Sequence, residues 1–168
     1  MSDEGETVFL GGGCAWVMQQ LLRHPGGVTS TRVGFMGGEN ENPTEEDNIG
    51  HAEVVEVTFD PERLSYRELL EVFFQVHRAD LDEDVVGFQY RSEVFVTSPD
   101  QRNVAEETIR DVDASGHWPG KTVTKISESE VFWEMGLEHQ DYFQRFPDVF
   151  KPPFPRQDDK SQNRHDVA

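Results

Sequence analysis

Thr7-Val8-Phe9-Leu10-Gly11-Gly12-Gly13-Cys14-Ala15-Trp16 is a short apolar run, halted by glycines, that gives way to a cysteine and an aromatic residue. Apolar residues recur at helical spacing from Cys14 to Arg23, and His24-Pro25-Gly26-Gly27 ends them. The stretch predicts a strand, a tight connection and a helix, with Cys14 at the helix start. A thiol there meets unpaired N–H groups and the positive end of the helix dipole, which favour thiolate over thiol. From position alone, Cys14 reads equally as a nucleophile or as a small residue packing beside glycines. The glycines tilt the reading toward chemistry, because they let backbone approach a substrate and offer N–H donors to an oxygen.

Working outward, Val28 to Phe35 and His51 to Phe59 read as strands separated by a polar loop from Glu39 to Gly50. Ser65 and Glu68 have capping-box spacing ahead of Leu69, Leu70, Val72, Phe73 and Val76, which predicts a helix ending near His77. An acidic loop through Asp80, Asp82, Glu83 and Asp84 precedes a strand over Tyr90 to Thr97, and Ser98-Pro99 opens a helix to about Val112. Lys121 to Ile126 alternates as a further strand, and Phe132 to Phe146 has helical spacing. The alternation of strands and helices argues for an α/β or α+β layered domain. One domain is expected over residues 1–150, with an irregular or disordered tail over 151–168, rich in Pro, Asp and Gln.

Acidic residues number 33 against 15 basic ones, and the net charge of -18 repels phosphate backbones and anionic membranes, so neither nucleic acid nor membrane is an expected partner. The Lys-poor, acidic composition suits a high-salt cytoplasm as well as an ordinary acidic bacterial protein. An acidic start and the lack of a long apolar run predict a cytoplasmic protein, expected to be a monomer. The single cysteine excludes an intrachain disulfide and a cysteine-ligated metal cluster. The Asp80 to Asp84 segment lacks EF-hand spacing, since Val85 and Arg91 stand where Gly and Glu are required. No pair of histidines has the spacing of a helical zinc site, so no metal is assigned.

Several motifs carry a resemblance. Gly13-Cys14-Ala15-Trp16 resembles the Gly-Cys-Phe-Trp signature of A-type peptide methionine sulfoxide reductases. Pro25-Gly26-Gly27-Val28, Val33-Gly34-Phe35-Met36-Gly37-Gly38, Asn42-Pro43-Thr44 and Gly50-His51-Ala52-Glu53-Val54-Val55 continue the similarity in order. Gln89-Tyr90-Arg91-Ser92 and His139-Gln140-Asp141-Tyr142 complete it, over roughly residues 7 to 147. The resemblance implies an α+β layered sandwich, a mixed sheet with flanking helices and a ferredoxin-like core, and a reductase in which the Cys14 thiolate attacks a sulfoxide sulfur. It implies that Glu53 gives a proton to the departing oxygen, that Tyr90 hydrogen-bonds that oxygen, and that Gly13 and Trp16 help line the site. Without the match, Glu53 would read as a solvated strand-end residue. Attack leaves Cys14 as a sulfenic acid. With no second cysteine, an external thiol (thioredoxin, glutaredoxin or a small thiol) must reduce it, and no other cofactor is expected.

The sequence departs from the family's pattern at positions expected to bind substrate. Ala15 replaces the aromatic residue after the cysteine, which predicts a wider pocket. Glu45 stands where the family has an oxygen-binding tyrosine, Val85 where it has an aspartate, with Asp84 adjacent, and Gln19 where it has a glutamate. These changes leave three readings: reduction of methionine-S-sulfoxide or a related methyl sulfoxide, action on a different sulfur compound, or a non-catalytic binding homologue.

Overall fold

The computed structural model describes residues 5–151. Strand β1 (Glu6–Gly12), helix α1 (Ala15–Leu22), strands β2 (Val28–Met36) and β3 (Ala52–Phe59), helix α2 (Tyr66–Val76) and strand β4 (Ser92–Val96) form the central unit. Its strands lie in the order β4-β1-β3-β2, with antiparallel pairing throughout. This is the expected ferredoxin-like βαββαβ arrangement. Helix α4 (Pro99–Ser115) returns the chain to β5 (Lys125–Glu128), parallel to β4, and a two-residue edge strand β6 (Trp133–Glu134) joins β2.

Local chemistry explains these elements. Ser65 accepts from the Glu68 N–H at 3.0 Å while the Glu68 carboxylate accepts from the Ser65 N–H at 2.9 Å, so the capping box closes at the start of α2. Ser98 caps α4, Pro99 occupies its first turn, and left-handed Gly116 stops it three residues beyond Val112. Helices α1 and α2 lie on one sheet face over Val8, Leu10, Val55, Val57, Phe59, Val94 and Val96. The other face buries Met36, Ala52, Val54 and Phe95. Because strand side chains alternate, Glu53 shares the helix-covered face with Val55, Val57 and Phe59.

Five expectations are corrected. Strand β1 does not stop at the glycines but runs through Gly11 and Gly12, which pair with Glu93 and Ser92. The acidic loop contains a helical turn, α3 (Glu83–Val86), capped by Asp82. Strand β4 starts at Ser92, because Phe88–Tyr90 forms a 3-10 turn. Residues 121–124 are drawn off the sheet, with the N–H groups of Thr122 and Val123 donated to Asp113 and Ala79. Finally, Phe132 to Phe146 is not a helix: it comprises β6, a 3-10 turn at Leu137–His139 and the short α5 (Tyr142–Arg145). There the Gln140 side chain accepts from the Val33 N–H and donates to the Val33 and Met135 carbonyls, each at 2.9 Å, pinning the segment against β2 in place of a continuous helix. The tail expected over 151–168 lies outside the described residues apart from Lys151. Among the described residues, no helix is long and apolar enough to cross a membrane.

Candidate active site

Cys14 stands at the end of the central strand β1, where Gly13 turns the chain with φ 111° and Cys14 becomes the N-cap of α1. A side chain at position 13 would meet no neighbour, so the glycine is required by the turn itself. Gly12 serves packing instead: a Cβ there would lie 2.9 Å from the Phe73 ring of α2. The β1–β3 register pairs Leu10 with Val55, so the next inward residue of β3, Glu53, stands level with the start of α1. The Ala15 N–H donates to Glu53 Oε1 at 2.9 Å, joining the carboxyl directly to the residue after Cys14. Glu53 is 8% exposed, and loss of solvent raises its pKa most; the Ala15 N–H opposes the rise and Glu45 adds to it. A solvated strand-end Glu is thereby excluded.

The thiol is exposed at the surface, yet desolvation by its neighbours is the largest influence on it and raises its pKa. The backbone N–H groups of Val17 and Trp16 pull in the opposite direction, as expected at a helix start, while Glu53 and Glu45 push the pKa further up. The helix terminus therefore does not by itself produce a thiolate. When Glu53 is protonated its charge no longer opposes the thiolate, so thiolate with carboxylic acid is the mutually compatible reactive pair.

Tyr90, in the 3-10 turn before β4, has its hydroxyl pKa raised by burial first and then by Glu53; the Gln89 side chain opposes the rise, and Cys14 and Glu45 reinforce it. Trp16 forms a second wall, stacked 4.0 Å from Tyr142 and 5.7 Å from His139. Glu45 is half-exposed, and its carboxylate lies 3.7 Å from His139 Nε2. Two expected pocket residues are placed elsewhere. Ala15 is buried in the core at 1% exposure, so its small side chain opens no pocket, and Val85 is 69% exposed while Val86 faces the cavity beside Cys14. Gln19 is fully committed: Nε2 reaches Thr31 and Asp141, and Oε1 accepts from the Asp141 N–H.

Sequence reasoning did not assign the residues that hold these groups in place. Buried His51 accepts from the Gly38 N–H at Nδ1 and bonds the Asn40 carbonyl at Nε2, anchoring the loop that carries Glu45. Arg91, 6% exposed, bonds Glu93 and the carbonyls of Phe88 and Gly50, tying the Tyr90 turn to the loop that enters β3. Gln140 and Asp141 dock the segment that presents Tyr142 to Trp16. Their only signal was position inside or beside the quoted motifs. Among the described residues, no three carboxylate, imidazole or thiol groups converge as metal ligands.

The family model for peptide methionine sulfoxide reductase matches residues 6–166. A relative from Nocardia farcinica, "Peptide methionine sulfoxide reductase MsrA", is 50% identical, with 100% of both chains covered. Reduced Mxr1 from Saccharomyces cerevisiae has a similar fold, with TM-score 0.80 at 23% identity over 90% of this chain and 91% of that one. Methionine sulfoxide reductase A of Corynebacterium diphtheriae gives TM-score 0.69 at 26% identity over 92% and 81%. With a thiol at the start of α1, a buried carboxyl bonded to the N–H of the next residue, and these likenesses along its length, the chain belongs to the peptide methionine sulfoxide reductase family.

Proposed function

We propose that this protein is a thiol-dependent oxidoreductase that reduces methionine-S-sulfoxide, or a related methyl sulfoxide, with Cys14 as nucleophile and Glu53 as acid. The observation that carries this reading is the buried Glu53, its pKa raised by desolvation, held to the residue beside Cys14 by the Ala15 N–H. The thiolate attacks the sulfoxide sulfur, Glu53 protonates the oxygen, and Tyr90 supplies a phenol to it. The oxygen passes to Cys14 as sulfenic acid, the sulfide departs, and Glu53 is left as carboxylate. Trp16, braced by Tyr142, offers the apolar surface for the methyl group, Gly13 lets substrate approach the sulfur, and Glu45 sets the charge at the mouth. An external thiol then reduces the sulfenic acid, because the chain has no second cysteine.

The test is a dithiothreitol-driven assay with each epimer of a blocked methionine sulfoxide, comparing native protein, Cys14→Ser and Glu53→Gln. The expected result is turnover of the S epimer that vanishes with Cys14→Ser and falls strongly with Glu53→Gln. Folded native protein that turns over neither epimer would end this reading.

A further inference from the structure

Beside Cys14 lies a cavity of about 220 Å³, bounded by Val17 and Met18 of α1, Val76 and His77 of the α2 end, Leu81, Val86, and Tyr90 with Ser92 at the start of β4. Gly12, Gly13, Cys14 and Arg78 complete the lining; Gly13 and Tyr90 border both this recess and the sulfoxide position, whereas Glu53, Ala15, Trp16 and Glu45 are not part of it. The sheet order explains the separation: β1, which ends at Cys14, has β3 with Glu53 on one side and β4 with Ser92 on the other. The sulfur thus stands between an acid on one flank and an apolar recess on the other.

Resting on the reductase reading, we propose that this recess seats the apolar body of an uncharged small-molecule thiol that reduces the Cys14 sulfenic acid. After oxygen transfer, the S–OH oxygen remains on the Glu53 flank. A thiol displaces that oxygen by attacking sulfur in line with the S–O bond, from the side opposite the leaving group. Lined by no residue of β3, the recess is the approach left to it. Glu53, left as carboxylate by oxygen transfer, first takes up a proton from solvent; the thiolate then forms an S–S bond to Cys14, the S–O bond breaks, and the oxygen leaves as water with that proton. A second thiol molecule then attacks the mixed disulfide, releasing a symmetrical disulfide and the Cys14 thiolate.

The lining selects the chemistry. His77 already bonds the Phe73 carbonyl at 2.7 Å and Ser92 Oγ at 2.8 Å; Ser92 Oγ lies 2.7 Å from Thr124 Oγ1; Arg78 is held bidentate by Asp80 at 2.7 and 2.8 Å. These polar groups are spent on the protein and the Tyr90 hydroxyl is given to the sulfoxide oxygen, so Val17, Met18, Val76, Leu81 and Val86 do the recognising. A charged thiol such as glutathione finds no free counter-ion among them. The volume is ample for an aromatic ring, since an apolar cavity of about 150 Å³ holds benzene.

The experiment forms the sulfenic acid in two ways, with one equivalent of methionine-S-sulfoxide and with one equivalent of hydrogen peroxide, and follows its loss by stopped flow. Benzyl mercaptan is compared with 2-mercaptoethanol, an uncharged thiol of similar acidity, in native protein, Val86→Trp and Leu81→Phe. The two substitutions fill the recess from different sides. Benzyl mercaptan should give a rate that saturates with concentration in native protein and falls about tenfold in either filled variant, while 2-mercaptoethanol stays linear and unaffected. Equal, unsaturating behaviour of both thiols in all three proteins overturns the proposal. So does a filled variant that loses the methionine burst but keeps its thiol rates, because the recess would then hold substrate. A native protein that gives no burst from sulfoxide, yet shows the thiol preference after peroxide, refutes the reductase reading and leaves the recess standing.

Discussion

The two walls of the site are built by different means. Glu53 stands on β3 and Cys14 just past the end of the neighbouring β1, in a continuous ladder covered by helices whose apolar faces are buried. The opposite wall, Tyr142 and His139 against Trp16, belongs to a segment with little regular structure, held by the Gln140 bonds to Val33 and Met135, the Gln19–Asp141 pair and the Arg23–Asp141 ion pair. Reacting groups thus sit where backbone pairing limits displacement, and binding groups where a few side chains set the position. Disturbing the first wall should change the rate of chemistry; disturbing the second should change affinity and local stability.

The largest effect should come from Glu53→Gln. Glutamine keeps an oxygen for the Ala15 N–H, so the fold is retained while the proton is lost, and kcat should fall about 10²- to 10⁴-fold with little change in KM. Native activity should be bell-shaped in pH, because the reactive pair needs Cys14 ionised and Glu53 protonated. In the variant only the rising limb of Cys14 should remain. It should lie at lower pH than in native protein, since Glu53 no longer opposes the thiolate; iodoacetamide alkylation against pH reads it directly.

The same wall predicts a pH dependence of stability. Burial lowers the His77 pKa from 6.5 to about 4, and the Phe73 carbonyl requires Nδ1 to donate, leaving Nε2 to accept from Ser92. A depressed folded-state pKa means that the stability is present above 6.5 and lost as pH falls through about 4. Urea unfolding should lose on the order of 3 kcal/mol across that window, and His77→Gln should flatten the dependence.

The sequence made the first wall far more legible than the second. The capping box at Ser65 and Glu68, the strand–glycine–helix run at Cys14 and the alternation of elements all report local backbone chemistry, and the fold follows from them. Glu53 was harder, because β3 is apolar at both parities: Ala52 and Val54 face one core cluster, Val55 and Val57 the other, so alternation alone cannot show which side α1 covers. The spacing of Phe132 to Phe146 mimicked a helix although its aromatic residues serve different elements, Phe132 packing on Phe9 of β1 and Tyr142 on Trp16 of α1. Gln140 pairs with Val33, 107 residues away, a contact no local pattern encodes. Val85 and Ala15 were misplaced for a related reason: a motif position identifies a neighbourhood, whereas the neighbouring elements decide which residue points inward.

Gln140→Ala tests whether the second wall depends on that docking. The truncation leaves the Val33 N–H and two carbonyls without their partner, so it should cost about 1–3 kcal/mol in denaturant unfolding. KM should rise with it, because Gln140 lies between His139 and Asp141 and its loss frees both. A stability loss without a KM change would detach this segment from substrate binding.

The smallest effect, and the sharpest discriminator between the walls, is Tyr142→Ala. Tyr142 stacks on Trp16 at 4.0 Å with the rings 11° apart, and the Trp16 ring is thereby held in one orientation beside the helix start. A stacked aromatic pair contributes about 0.5–1.5 kcal/mol beyond the area it buries. If Trp16 holds the methyl group in ground state and transition state alike, that energy is lost from both, so KM rises by about two- to tenfold while kcat stays near native. If Tyr142 instead affects proton transfer, kcat falls and the Glu53 limb of the pH profile shifts. Phenylalanine at the same position separates stacking from hydroxyl chemistry: it should restore KM, since the ring remains and only the hydroxyl is removed.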